Sequence, residues 1–140
     1  MSLAESDPRR PLQVLMLEDN ATDAELIDRE LRRAGYDLQW RRVETSADFL
    51  AAITTAPDLI ISDWNMPKMS GRELLEKVRG TPALHHLPFI MITGENASDM
   101  VRNAIAGGVT DFIVKPFTGA LLEHRVKLAL AHARPAPKIV

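Results

Sequence analysis

Residues 59–63, Leu59-Ile60-Ile61-Ser62-Asp63, form a run that is apolar on both faces and stops at a carboxylate. A short strand without inside/outside alternation belongs in a parallel sheet covered by helices on both sides. Reading outward, three further runs end in the same manner: Val14–Leu17 leads into Glu18-Asp19, Phe89–Ile92 into Thr93, and Phe112–Val114 into Lys115-Pro116. If these are parallel strands of one sheet, their terminal side chains gather at its carboxyl edge, where open α/β sheets hold ligands. Carboxylates from Glu18, Asp19 and Asp63 crowded there repel one another and call for a divalent cation with oxygen ligands. The Thr93 hydroxyl and the Lys115 ammonium beside that cation would complete a cradle for a phosphoryl group.

Between the strands the periodicity changes to that of amphipathic helices, so the chain reads as five βα pairs. Strand one is Leu12–Leu17. Helix one starts near Thr22, as cap, with Glu25 completing a capping box, and presents Ile27, Leu31 and Ala34 before Gly35 ends it. Asp37–Val43 is strand two, and its alternation of Leu38 and Trp40 with Gln39 and Arg41 suits a sheet edge. Ser46 is the expected cap of a second helix carrying Phe49, Leu50 and Ile53, stopped near Pro57. Helix three presents Leu74, Leu75 and Val78, and helix four, about Ser98–Ala106, presents Val101, Ala104 and Ile105 before Gly107-Gly108. Strand five is about Asp111–Val114. The last helix, about Thr118–Ala133, turns Leu121, Leu122, Val126 and Leu130 inward. The expected organisation is a flexible extension over residues 1–11, one domain over 12–133, and a flexible proline-containing tail over 134–140.

Composition narrows the function by exclusion. A chain of 140 residues with 46% hydrophobic and 26% charged residues is an ordinary single globular domain. A formal net charge of −2 offers no basic field for nucleic acid or anionic lipid. The absence of cysteine removes disulfides, thiolate nucleophiles and cysteine-ligated zinc, and fits a cytoplasmic location. No apolar stretch approaches the length of a membrane span, and Met1–Pro11 is too polar for a signal peptide.

The sequence resembles the receiver (CheY-like) domain of two-component response regulators. The resemblance covers about Leu12 to Leu130. It rests on Leu17-Glu18-Asp19-Asn20, on the segment from Asp63 through Trp64, Asn65, Met66, Pro67, Lys68, Met69 and Ser70 to Gly71, on Thr93-Gly94-Glu95, and on Lys115-Pro116-Phe117. Each motif alone has a bland reading as turn or cap chemistry; their joint occurrence in this order is specific. The resemblance implies an α/β fold of the flavodoxin-like (βα)5 type, a three-layer sandwich around a five-stranded parallel sheet in the order 2-1-3-4-5. Periodicity alone does not give that order.

The resemblance also implies the chemistry. Asp63 would be the phospho-acceptor, attacking a phosphohistidine to form an acyl phosphate. Asp19 and Asp63 would bind Mg²⁺ directly together with the backbone carbonyl of Asn65, with Glu18 acting mainly through a coordinated water; Mn²⁺ could substitute. Thr93 and Lys115 would contact phosphoryl oxygens, the backbone amides of Asn65 and Gly94 would add donors, and a cis Pro116 would aim the lysine. Asn65 and Glu95 would tune hydrolysis and give a short-lived phosphoryl group. Thr93 and Phe112 would form the switch, reshaping the face of helix four, strand five and helix five. Partners would be a histidine kinase or phosphotransfer protein and a downstream protein target, with a homodimer through helices four and five as an option and neither nucleic acid nor membrane involved. Such a chain is no enzyme toward other molecules, since it catalyses only its own phosphorylation and dephosphorylation.

Three readings compete: a stand-alone regulator, with no output domain following Val140; a receiver excised from a hybrid histidine kinase or longer regulator; and a Mg²⁺-dependent phosphohydrolase. The last is disfavoured because Asp63-Trp64-Asn65 lacks a second carboxylate two residues on to act as general acid. His85-His86 lacks helical ligand spacing and reads as a solvated loop, His124 and His132 as surface residues, and Arg29, Arg32, Arg33, Arg41 and Arg42 as a solvated basic face that could help dock a kinase. Two departures from the family pattern stand out. Gly107-Gly108 is expected to loosen the output face, and the bulky Trp64 could narrow access to the site or report metal binding by fluorescence.

Overall fold

The structure, a computed structural model, describes residues 10–55, 57–64, 71–94 and 98–132. Among these, five strands alternate with five helices: β1 (Arg10–Leu17), α1 (Ala21–Arg33), β2 (Tyr36–Val43), α2 (Ser46–Ile53), β3 (Leu59–Asp63), α3 (Gly71–Gly80), β4 (Phe89–Thr93), α4 (Ser98–Gly107), β5 (Asp111–Val114) and α5 (Gly119–His132). The strands form one parallel sheet in the order 2-1-3-4-5, as the resemblance implied. β1 begins at Arg10, ahead of the expected Leu12, because Arg10 and Pro11 pair with Tyr36 and Asp37. Most of the expected extension and the whole tail lie outside the described residues.

Alternate residues of the central strands supply two cores, one on each face. Leu12, Val14 and Met16 of β1, Leu59 and Ile61 of β3, and Ile90 and Ile92 of β4 face α1 and α5, meeting Ile27, Leu31, Leu122 and Val126. Leu15, Leu17, Ile60 and Phe89 face the other way, against Phe49 of α2 and Leu74, Leu75 and Val78 of α3. Each fully buried aliphatic side chain contributes about 1.5–3 kcal/mol by leaving water. The edge reading of β2 is correct, with Gln39 and Arg41 exposed and Leu38 buried.

Local details differ from the sequence reading. Asn20, not Thr22, caps α1, its side chain accepting from the N–H groups of Thr22 and Asp23. Thr45, one residue before the expected Ser46, caps α2 by accepting from the Asp48 N–H. Leu50 and Ile105, expected inside, are 47% and 59% exposed, while their neighbours Phe49 and Ala104 are buried. A helix turns about 100° per residue, so adjacent apolar residues cannot both face a narrow contact. α1 terminates as expected, with Ala34 as cap and Gly35 at φ 102, where only glycine is unstrained.

Candidate functional site

The site lies where the strand order reverses. β1 neighbours both β2 and β3, and connections leave these strands in opposite directions, opening a crevice beyond their carboxyl ends. Register then fixes which side chains meet there. Leu17 pairs with Ser62, bringing the next residues, Glu18 and Asp63, side by side. Asp63 pairs with Ile92 and Thr93 with Val114, and the Lys115 N–H donates to the Thr93 carbonyl at 2.7 Å. The peptide bond between Lys115 and Pro116 is cis.

The three carboxylates converge, with oxygens of Glu18, Asp19 and Asp63 lying within 4.8 Å of one another. Glu18 is only 2% exposed. One of its oxygens accepts from the Asn20 N–H at 3.1 Å and the other lies 3.3 Å from the Lys115 Nζ. Burial lifts the Glu18 carboxyl to about 7, against the Asn20 hydrogen bond and the Lys115 charge, while the Asp63 carboxylate adds to the rise. One ammonium does not balance this cluster. The donor set is all oxygen and anionic, which fits a hard divalent cation such as Mg²⁺.

Lys115 reaches Asp63 at 3.2 Å and, in a contact that sequence reasoning missed, Asp23 on α1 at 2.9 Å. Burial works against its charge, yet the Asp23 hydrogen bond and the Glu18 and Asp63 charges outweigh it and hold the ammonium above the usual lysine pKa. Thr93 is fully buried at the end of β4. Gly94 is exposed, and among the described residues a Cβ there would meet nothing within 4 Å. Gly71 is the crowded glycine: a Cβ there would lie 2.9 Å from the Trp64 ring. Trp64 packs onto the core beneath α2 and α3. Phe112 is half-buried on β5. Asn65 and Glu95 lie outside the described residues.

Other singled-out residues have local roles. Arg42 is not merely solvated, since it donates to the Glu18 carbonyl at 3.1 Å and pairs with Glu44. Arg32 pairs with Asp28, which also accepts from the Trp40 indole N–H at 2.8 Å. His85 is exposed, its Nδ1 2.8 Å from the Pro82 carbonyl oxygen; His86 is half-buried, and neither joins a metal-competent cluster among the described residues. His124 is exposed, and the His132 side chain lies outside what is described.

Comparison with known proteins agrees with this geometry. Residues 14–127 match the family described as response regulator receiver domain. The chain is 32% identical to the chemotaxis protein CheY1 of Helicobacter pylori, over 85% of its own length and 97% of that protein's. Against the chemotaxis protein CheY-3 of Vibrio cholerae the identity is 34%, over 82% and 88%. The receiver domain of a signal transduction histidine kinase from Syntrophus aciditrophicus superposes with a TM-score of 0.77 at 32% identity, covering 92% of this chain and 97% of that one. Receiver domains are signalling modules of two-component systems that work with histidine kinases and downstream targets and bind Mg²⁺ at an acidic pocket. With its motifs, its strand order and its acidic crevice, the chain belongs to the response regulator receiver domain family.

Proposed function

We propose that this chain accepts a phosphoryl group on Asp63 from a histidine kinase or phosphotransfer protein. The observation that carries the reading is the meeting of Glu18, Asp19 and Asp63 with the Lys115 ammonium at one crevice. An Asp63 carboxylate oxygen attacks phosphorus as the bond from phosphorus to the donor nitrogen breaks, and the released imidazole takes up a proton. The product is an acyl phosphate, which water later hydrolyses to restore the carboxylate. Glu18, Asp19 and Asp63, with the Asn65 carbonyl, are the residues that would hold Mg²⁺, which when bound neutralises charge on the attacking and transferring oxygens. Lys115 supplies a fixed positive charge for a phosphoryl oxygen, and Thr93 and the Gly94 amide supply further donors.

The phosphorylated state is read on the face of α4, β5 and α5. Thr93 moves toward the phosphoryl group and Phe112 turns into the space it leaves, a shift within reach of a few charge-assisted contacts. Ile105 on α4 and Leu128 on α5 are among the exposed large apolar residues, which suits a face that meets a protein target. The experiment is intact mass after incubation with acetyl phosphate. One phosphoryl adduct that requires Mg²⁺ and disappears in Asp63→Asn is expected; an adduct that persists in Asp63→Asn would overturn the assignment.

A further inference from the structure

An acidic side chain outside the acceptor and metal-binding set has a hold on the reacting lysine. Asp23 lies in the first turn of α1, and its own N–H is taken up by the Asn20 side chain at 3.2 Å. Its carboxylate turns to the Lys115 Nζ at 2.9 Å, the shortest of that ammonium's three carboxylate contacts. An ammonium has three N–H donors, and Glu18, Asp23 and Asp63 can take one each. We propose that Asp23 is a positioning residue that holds the Lys115 ammonium over the Asp63 carboxylate through the phosphoryl transfer.

The three anchors differ in what the reaction does to them. When a phosphoryl group joins Asp63, negative charge leaves that carboxylate for the phosphoryl oxygens, and the lysine contact follows it. Glu18 is committed to the cation. Asp23 has neither role, so its hold persists while the other two change. A lysine side chain is long and flexible, and the Lys115 side chain is 26% exposed. Without Asp23 it would be free to turn toward solvent at the moment the phosphoryl oxygen needs it. The alternative is that Asp23 merely favours the start of α1 through its charge near the helix N-terminus. The two roles separate chemically: asparagine lacks the charge but keeps an oxygen that can accept from Lys115.

The inference rests on the acceptor reading of Asp63, so the test scores the two separately. The initial rate of adduct formation with Mg²⁺ and acetyl phosphate is measured for the wild-type chain, Asp23→Ala and Asp23→Asn, each also in a Lys115→Ala background. Asp23→Ala should lower the rate about tenfold, the low end for one lost charge-assisted hydrogen bond, and Asp23→Asn by about threefold or less. With Lys115→Ala present, Asp23→Ala should cost nothing further, since neighbours in one network are non-additive. Additive losses, an unchanged rate or a faster Asp23→Ala would each overturn the positioning role. The ¹⁵N–¹H signal of the Lys115 ammonium in the Mg²⁺-loaded chain gives a readout independent of chemistry. It should be protected from exchange in the wild type and in Asp23→Asn but lost in Asp23→Ala, and protection surviving in Asp23→Ala would overturn the tether. The ammonium signal decides the tether whether or not acetyl phosphate labels the wild type, so failure of the acceptor reading and failure of the tether are read separately.

Discussion

Glu18 is a buried carboxylate facing another carboxylate, and its chemistry sets a pH dependence. Its carboxyl is lifted from 4.5 to about 7, so between those values the folded chain holds a proton that the unfolded chain has released. Stability of the metal-free protein should therefore fall as pH rises from about 4.5 to about 7, by on the order of 3 kcal/mol from this group. Thermal denaturation in a chelator checks this, and Glu18→Gln should flatten the decline. The proton competes with Mg²⁺, so cation affinity should rise over the same range, as isothermal titration would read. Lys115→Ala should tighten Mg²⁺ severalfold while slowing phosphorylation, because the ammonium and the cation share the same carboxylates. The acidic pair, Asp63, Thr93 and Lys115 were legible in the sequence because each ends an apolar run. Asp23 was not, since its contact with Lys115 spans 92 residues and leaves no local periodicity.

At the scale of elements, caps and clamps carry what hydrophobic pattern does not show. Asn20 both caps α1 and donates its N–H to Glu18, so it ties the start of a helix to the acidic site. Asn20→Ala should cost about 1 kcal/mol in chemical denaturation, the usual value of a lost cap. Arg79 at the end of α3 donates to the carbonyls of His85, Leu87 and Gly108 at 2.7–2.9 Å, fastening α3 to the segments that lead into β4 and β5. Arg79→Ala should cost about 2–3 kcal/mol by leaving those acceptors unmet, with denaturation midpoints as the measure. The elements themselves were readable from period, but their ends were not. Where Asn20 and Thr22, or Thr45 and Ser46, stand within two residues of a helix start, composition offers equivalent caps and only backbone geometry chooses. Leu50 and Ile105 were misjudged for a related reason: each follows a buried neighbour on a helix whose contact with the sheet is narrow.

For the whole molecule, the sheet links stability to function. Ile61, 2% exposed in the middle of the central strand, belongs to the core beneath α1 and α5, two positions before Asp63. Ile61→Ala should destabilise by about 2–5 kcal/mol, and acceptor activity should be lost in step with the folded fraction in urea. Continuous apolar runs made the parallel α/β class readable, whereas the order 2-1-3-4-5 came only from resemblance, because pairing register is a long-range property. The central claim is that Asp63 is the residue phosphorylated. It is tested most directly by trapping: the chain is treated with Mg²⁺ and acetyl phosphate, reduced with borohydride, which converts a phosphorylated aspartate to homoserine, and mapped by peptide mass spectrometry. The account predicts homoserine at position 63 and at no other aspartate; conversion at another aspartate with position 63 untouched would contradict it.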